Sequence, residues 1–125
     1  MNLWSRLLLH LRRARLRQRF SKEQEALQKA FCNRLLAGST PEQQWHDVQW
    51  IAEPLLHVVP DTDQIPLALV GLAALFTNNS SETMQTMTGT AVFYFENNTW
   101  QTSGKLLPMT PSETLRELDH QAMVS

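Results

Sequence analysis

The chain has 125 residues, 42% of them hydrophobic and 18% charged, with a formal net charge of −1. That length suits one domain around one core, and the composition excludes disordered, collagen-like and coiled-coil classes. One cysteine excludes a disulfide framework and a thiolate metal cluster, and the longest apolar run, Leu67 to Phe76, falls far short of the ~20 residues of a membrane-spanning helix.

Residues 3–37 contain no glycine or proline and are dominated by Leu, Arg, Gln, Glu, Lys and Ala, which predicts a helix. At about 100° per residue, Leu3, Trp4, Leu7, Leu11 and Ala14 fall on one face. A narrower stripe of Leu9, Leu16 and Phe20 lies almost opposite, and arginines fill both flanks. A helix with one stripe needs one partner surface; this one offers two. Ser21 and Gln24 have capping-box spacing, so a break and restart is expected there. Beyond it, Leu27, Ala30, Phe31 and Leu35 form a core-facing stripe, and Gly38 supplies the stop.

Thr40-Pro41-Glu42-Gln43 reads as a start signal for a short helical turn near residues 41–46. Trp45, Val48 and Ala52 fit a helix, whereas Val48 and Trp50 alternate as in a strand. Extended chain is expected from there through Val59, interrupted at Pro54, which favours an edge strand. Pro60 to Asp63 reads as a turn. Leu67 to Phe76 is apolar on both parities, so it is a strand covered on both faces or a buried helix. A lone hairpin is marginal, and the need for a third strand favours strand. Residues 77–89 are polar and read as a loop.

The clearest sheet signal follows. Residues 90–96 and 99–107 flank Asn97-Asn98, and two asparagines tolerate the positive φ of a primed hairpin turn. A two-residue loop sets Phe95 opposite Trp100, Phe93 opposite Thr102 and Tyr94 opposite Gln101, with the Phe93/Phe95/Trp100 face toward the core. Thr110-Pro111-Ser112-Glu113 is a capping box with proline at the first helical position. The final helix buries Leu115, Leu118 and Ala122. The sum is an α+β fold: an N-terminal helical arm, a three- to four-stranded, mostly antiparallel sheet with a terminal hairpin, and a C-terminal helix packed on the sheet.

The small net charge conceals an asymmetry. Residues 1–39 hold nine bases against Glu23 and Glu25, and the first 22 residues contain no acid. Residues 40–125 hold only Lys105 and Arg116 against ten acids. One domain is therefore expected to combine a basic amphipathic arm, 1–39, with an acidic α+β body, 40–125. Arginine outnumbers lysine eight to three, which favours geometric contact with carboxylate or phosphate.

Signals for chemistry are sparse. Cys32 lies beside the helix core stripe with no neighbour to activate it. His46-Asp47 lacks metal-ligand spacing, no two histidines lie at i,i+2 or i,i+4, and Asp61-x-Asp63 lacks the rest of a calcium loop, so neither a metal nor a cofactor is expected. The four isolated glycines build no phosphate loop or nucleophile elbow. The sequons at Asn78, Asn79 and Asn97 matter only on secretion, and arginines interrupt any leader-like apolar core, so a cytoplasmic setting is expected.

The expected function is that of a small non-enzymatic protein-interaction domain, contacting a protein partner or another copy through Leu3, Trp4, Leu7 and Leu11 with Arg12, Arg15 and Arg19. The same basic helix also has the character of a transit segment, an anionic membrane-surface helix or a nucleic-acid arm. The alternative from another class is a small-molecule-binding domain or enzyme with a pocket between sheet and helices. There, His57 with Asp61 or Asp63 would serve as base and orienter.

Overall fold

A computed structural model describes residues 3–59, 64–78 and 81–124. The element order is α1 (Leu3–Ala37), β1 (Gln43–Trp50), β2 (Leu55–His57), β3 (Leu67–Asn78), β4 (Ser81–Glu96), β5 (Thr99–Leu107) and α2 (Pro111–Val124). The strands form one antiparallel sheet in the order β1-β3-β4-β5, and β2 pairs with β3 on the same side as β1. The α+β architecture expected from the sequence is the one observed.

α1 is one continuous helix of 35 residues, roughly 50 Å long, with no break at Ser21. The capping residues there cost less than interrupting a helix whose buried stripe runs on through Leu16, Phe20, Leu27, Phe31 and Leu35. It ends where the Gly38 amide donates to the carbonyls of Arg34 and Leu35, both at 3.1 Å.

The expected helical turn at 41–46 is replaced by strand β1. Thr40 and Gln43 close a small turn, in which the Gln43 amide donates to Thr40 Oγ1 at 3.1 Å. The mixed periodicity of this stretch has a physical origin in a β-bulge. Trp45 pairs with Phe76 but Asp47 pairs with Leu75, so His46 is an extra residue and parity changes across it. Trp45, Val48 and Trp50 thereby all reach the core face. β1 and β2 form one interrupted edge, broken around Pro54 as expected.

Residues 67–76 are strand, and β3 is buried on both faces. Ala68, Val70, Leu72 and Ala74 join the core beneath α1, whereas Leu69 is buried on the other side and Gly71 lies against Pro111 at the start of α2. Cover on both sides is why its apolar residues show no alternation. The loop expected at 77–89 is also overturned: β3 continues to Asn78 and β4 begins at Ser81, with Gln85 opposite Phe76 and Met87 opposite Ala74. Thr86 and Thr88 are exposed, so the segment reads as polar while its backbone completes a ladder with β3.

The β4–β5 hairpin has the expected register, Phe95 with Trp100, Tyr94 with Gln101 and Phe93 with Thr102, around Asn97 and Asn98 at φ of 55° and 61°. Beyond Phe93 the ladder shifts to pair Ala91 with Leu106, and Gly104 adopts φ of 74° under the side chain of Arg34. The core is a set of interlocked rings. Phe20 meets Phe93 and Trp100 edge-on, with centroids 5.4 and 5.1 Å apart, and Phe31 meets Trp50 at 5.5 Å. Trp100 Nε1 donates to the carbonyl of Leu16 at 3.3 Å, tying the hairpin to the middle of α1.

α2 starts on its capping box: the Glu113 amide donates to Thr110 Oγ1 at 3.2 Å. Leu115 and Leu118 are half-buried, and the side chain of Ala122 lies outside the described residues.

Candidate functional site

The two stripes of α1 have opposite fates. Leu16 and Phe20 are 7% and 1% exposed, and Leu9 packs against the same core. Leu3, Trp4, Leu7 and Leu11 are 81%, 72%, 46% and 43% exposed. The wider, more apolar stripe therefore faces away from the sheet that holds the helix. Leu8, which the stripe pattern does not include, is 63% exposed beside it.

Between this half of α1 and the hairpin tip lies an open groove of about 320 Å³. Its floor is Leu8, Leu11, Leu16 and Phe95, and its rim carries Arg12, Arg15 and Arg19. The three arginines lie on one flank of the helix by their spacing. Arg19 is held in place: its guanidinium donates to Asn98 Oδ1 at 3.3 Å and to the Asn98 carbonyl at 2.5 Å, and sits 5.4 Å from the centre of the Phe95 ring. Its Nε lies 3.8 Å from Glu23 Oε2. Among the described residues, Arg12 and Arg15 meet no carboxylate. Sequence reasoning assigned all three arginines but missed Leu8, Leu16 and Phe95 as floor residues. A groove made partly by the hairpin leaves no trace in the helix periodicity.

The opposite flank of α1 carries a second open hollow, between His10, Arg13, Ala14 and Arg17. Arg13 donates to the Val58 carbonyl at 3.2 Å.

Of the catalytic candidates His57, Asp61 and Asp63, only His57 lies among the described residues. His57 lies on β2 with its side chain 12% exposed, and its Nε2 stands 3.7 Å from Asp119 Oδ1 of α2, 65% exposed. Asp61 and Asp63 lie outside the described residues. The carboxylate beside His57 comes from a helix far along the sequence, which spacing could not reveal. His46 Nε2 meets Thr77 Oγ1 at 2.9 Å across the β1–β3 pair. Cys32 is half-buried, and burial, reinforced by Asp47, raises its thiol pKa, the reverse of what a nucleophile needs. Among the described residues no three His, Cys, Asp or Glu side chains gather as they would around a metal ion, and no helix is long and apolar enough to cross a membrane.

The chain matches no family model, no curated protein and no solved structure.

Proposed function

We propose that this chain is a small non-enzymatic contact module that engages a protein partner or another copy of itself through the outer face of α1. The observation that carries the reading is the exposure of Leu3, Trp4, Leu7 and Leu11 on a helix whose other face is fully docked. A contiguous apolar strip left in water on a small domain marks a contact surface. The strip adds nothing to the core of its own chain, so it is available without unfolding.

The alternative, a pocket between sheet and helices serving His57, gains little support. Phe20, Phe31, Phe93 and Trp100 fill the space between α1 and the sheet. Neither of the two grooves described along α1 is lined by His57.

The test is a comparison of the wild-type chain with Leu7→Ser/Leu11→Ser by light scattering across concentration, together with melting temperature. Removing residues 1–20 is the poorer experiment because Leu16 and Phe20 belong to the core. The expected result is a wild type that self-associates reversibly and a variant that is monomeric and equally stable. A monomeric wild type moves the contact to a different protein. A variant destabilised as strongly as a core truncation would make the stripe part of the fold and overturn the reading.

A further inference from the structure

We infer that the groove between α1 and the β4–β5 hairpin tip binds an acidic amphipathic segment of a partner protein. Apolar side chains of that segment would rest on Leu8, Leu11, Leu16 and Phe95, and its carboxylates would meet Arg12, Arg15 and Arg19. The inference rests on the reading of α1 as the contact element and names the chemistry of what it contacts.

Charge favours this occupant. The first 22 residues contain six arginines and a lysine but no acid, and among the described residues Arg12 and Arg15 meet no carboxylate of their own chain. Arginine presents a planar fork that matches a carboxylate in two parallel hydrogen bonds. Arg19 is already oriented by Asn98 and by the Phe95 ring, so less conformational freedom is lost on binding.

Shape favours it as well. Leu8, Leu11, Arg12, Arg15 and Arg19 recur at helical spacings along one flank, roughly 16 Å of helix at 1.5 Å per residue. The hairpin tip at Phe95 supplies the opposing wall. An apolar recess beside a cationic rim that runs along about three turns of α1 fits a helix laid along it, with apolar anchors repeating every three to four residues and acids on one flank. Other surfaces fit less of it. A flat bilayer would touch the outermost face of α1 and leave the recess unused. Nucleic-acid phosphate has no use for the apolar floor. A second copy laid groove against groove would bring Arg12, Arg15 and Arg19 against their own equivalents, so contact between copies is left to the outer stripe.

The probe is a fluorescein-labelled designed peptide of about 18 residues, five helical turns, with leucines at helical spacing and glutamates on one flank. It would be titrated into the full chain alongside a scrambled peptide and a lysine-for-glutamate peptide, with phosphatidylserine-containing vesicles and duplex DNA as separate arms. The expected result is binding of the acidic peptide alone, weakened by salt. Arg12→Glu/Arg15→Glu should weaken it by about tenfold or more, a loss of ~1.4 kcal/mol, and transfer the preference to the lysine peptide. Both arginines are exposed, so the variant should melt like wild type.

No binding, binding indifferent to peptide charge, binding that survives the double reversal, or binding to vesicles or DNA in place of the peptide would each overturn the inference. If the peptide fails while Leu7→Ser/Leu11→Ser still abolishes self-association, only the groove assignment falls and the contact-module reading stands.

Discussion

Both halves of α1 carry leucines on one unbroken helix, yet Leu7 is 46% exposed and Leu27 8%. What separates them is the surface beneath. From Leu16 onward the inner stripe meets Phe93, Trp50 and Trp100, whereas no described residue covers the outer stripe of the first half. The outer stripe is wider and richer in leucine, but it stops after Ala14 and gives way to Gln18, Lys22 and Glu25. The inner one persists at Leu16, Phe20, Leu27, Phe31 and Leu35. In a helix with two apolar faces, persistence along its length identifies the core face better than local hydrophobicity does.

That contrast can be broken by experiment, and the largest effects belong to the buried half and its partner rings. Phe31→Ala and Trp100→Ala should each cost about 3–5 kcal/mol in chemical denaturation, since both rings are enclosed and Trp100 also loses its hydrogen bond to Leu16. A Trp100→Ala protein as stable as wild type would mean that the hairpin does not anchor α1. Gly104→Ala comes next. Its φ of 74° costs a side-chain-bearing residue about 1–2 kcal/mol, and an added Cβ would stand 2.6 Å from the Cβ of Arg34, so the C-terminal half of α1 must shift.

A smaller effect comes from Cys32. Its thiol pKa is raised in the folded chain, so folding favours the protonated form. That contribution is present below the thiol's ordinary pKa and declines as pH rises from that value through the raised one. A stability profile on the alkaline side should fall more for wild type than for Cys32→Ala, and an equal slope would refute the shift. At the bottom of the range, Leu7→Ser and Leu11→Ser in the monomer should change stability by no more than about 0.5 kcal/mol. A loss matching that of Leu27→Ala would erase the distinction between the halves.

Legibility in the sequence divides along similar lines. The β4–β5 hairpin was readable because Asn97 and Asn98 fix the turn and the turn fixes the register. α2 was readable because its cap is local, from Thr110 to Glu113. The first half of β1 was not, because the extra residue at His46 converts a period of two into a spacing that resembles a helix. The first part of β4 was not, because its threonines and glutamine carry little apolar signal and its pairing depends on β3. Of the candidate site, the arginine rim and the outer stripe could be seen, as properties of one helix. The floor at Phe95 and the approach of Asp119 to His57 could not, because distant segments create them.

The hydrogen bond from Trp100 to the carbonyl of Leu16 joins residues 84 positions apart. During synthesis at about 5–20 residues per second, Trp100 is added roughly 4–17 s after Leu16. Phe93 precedes Trp100 by only seven residues, so for most of that interval α1 has neither ring to cover Phe20, and both of its apolar faces are open while the sheet is still being made. Of the elements described, α1 is thus the first to emerge and among the last to be enclosed. Any factor that binds nascent chains meets the core stripe and the contact stripe together, and only completion of β5 tells them apart.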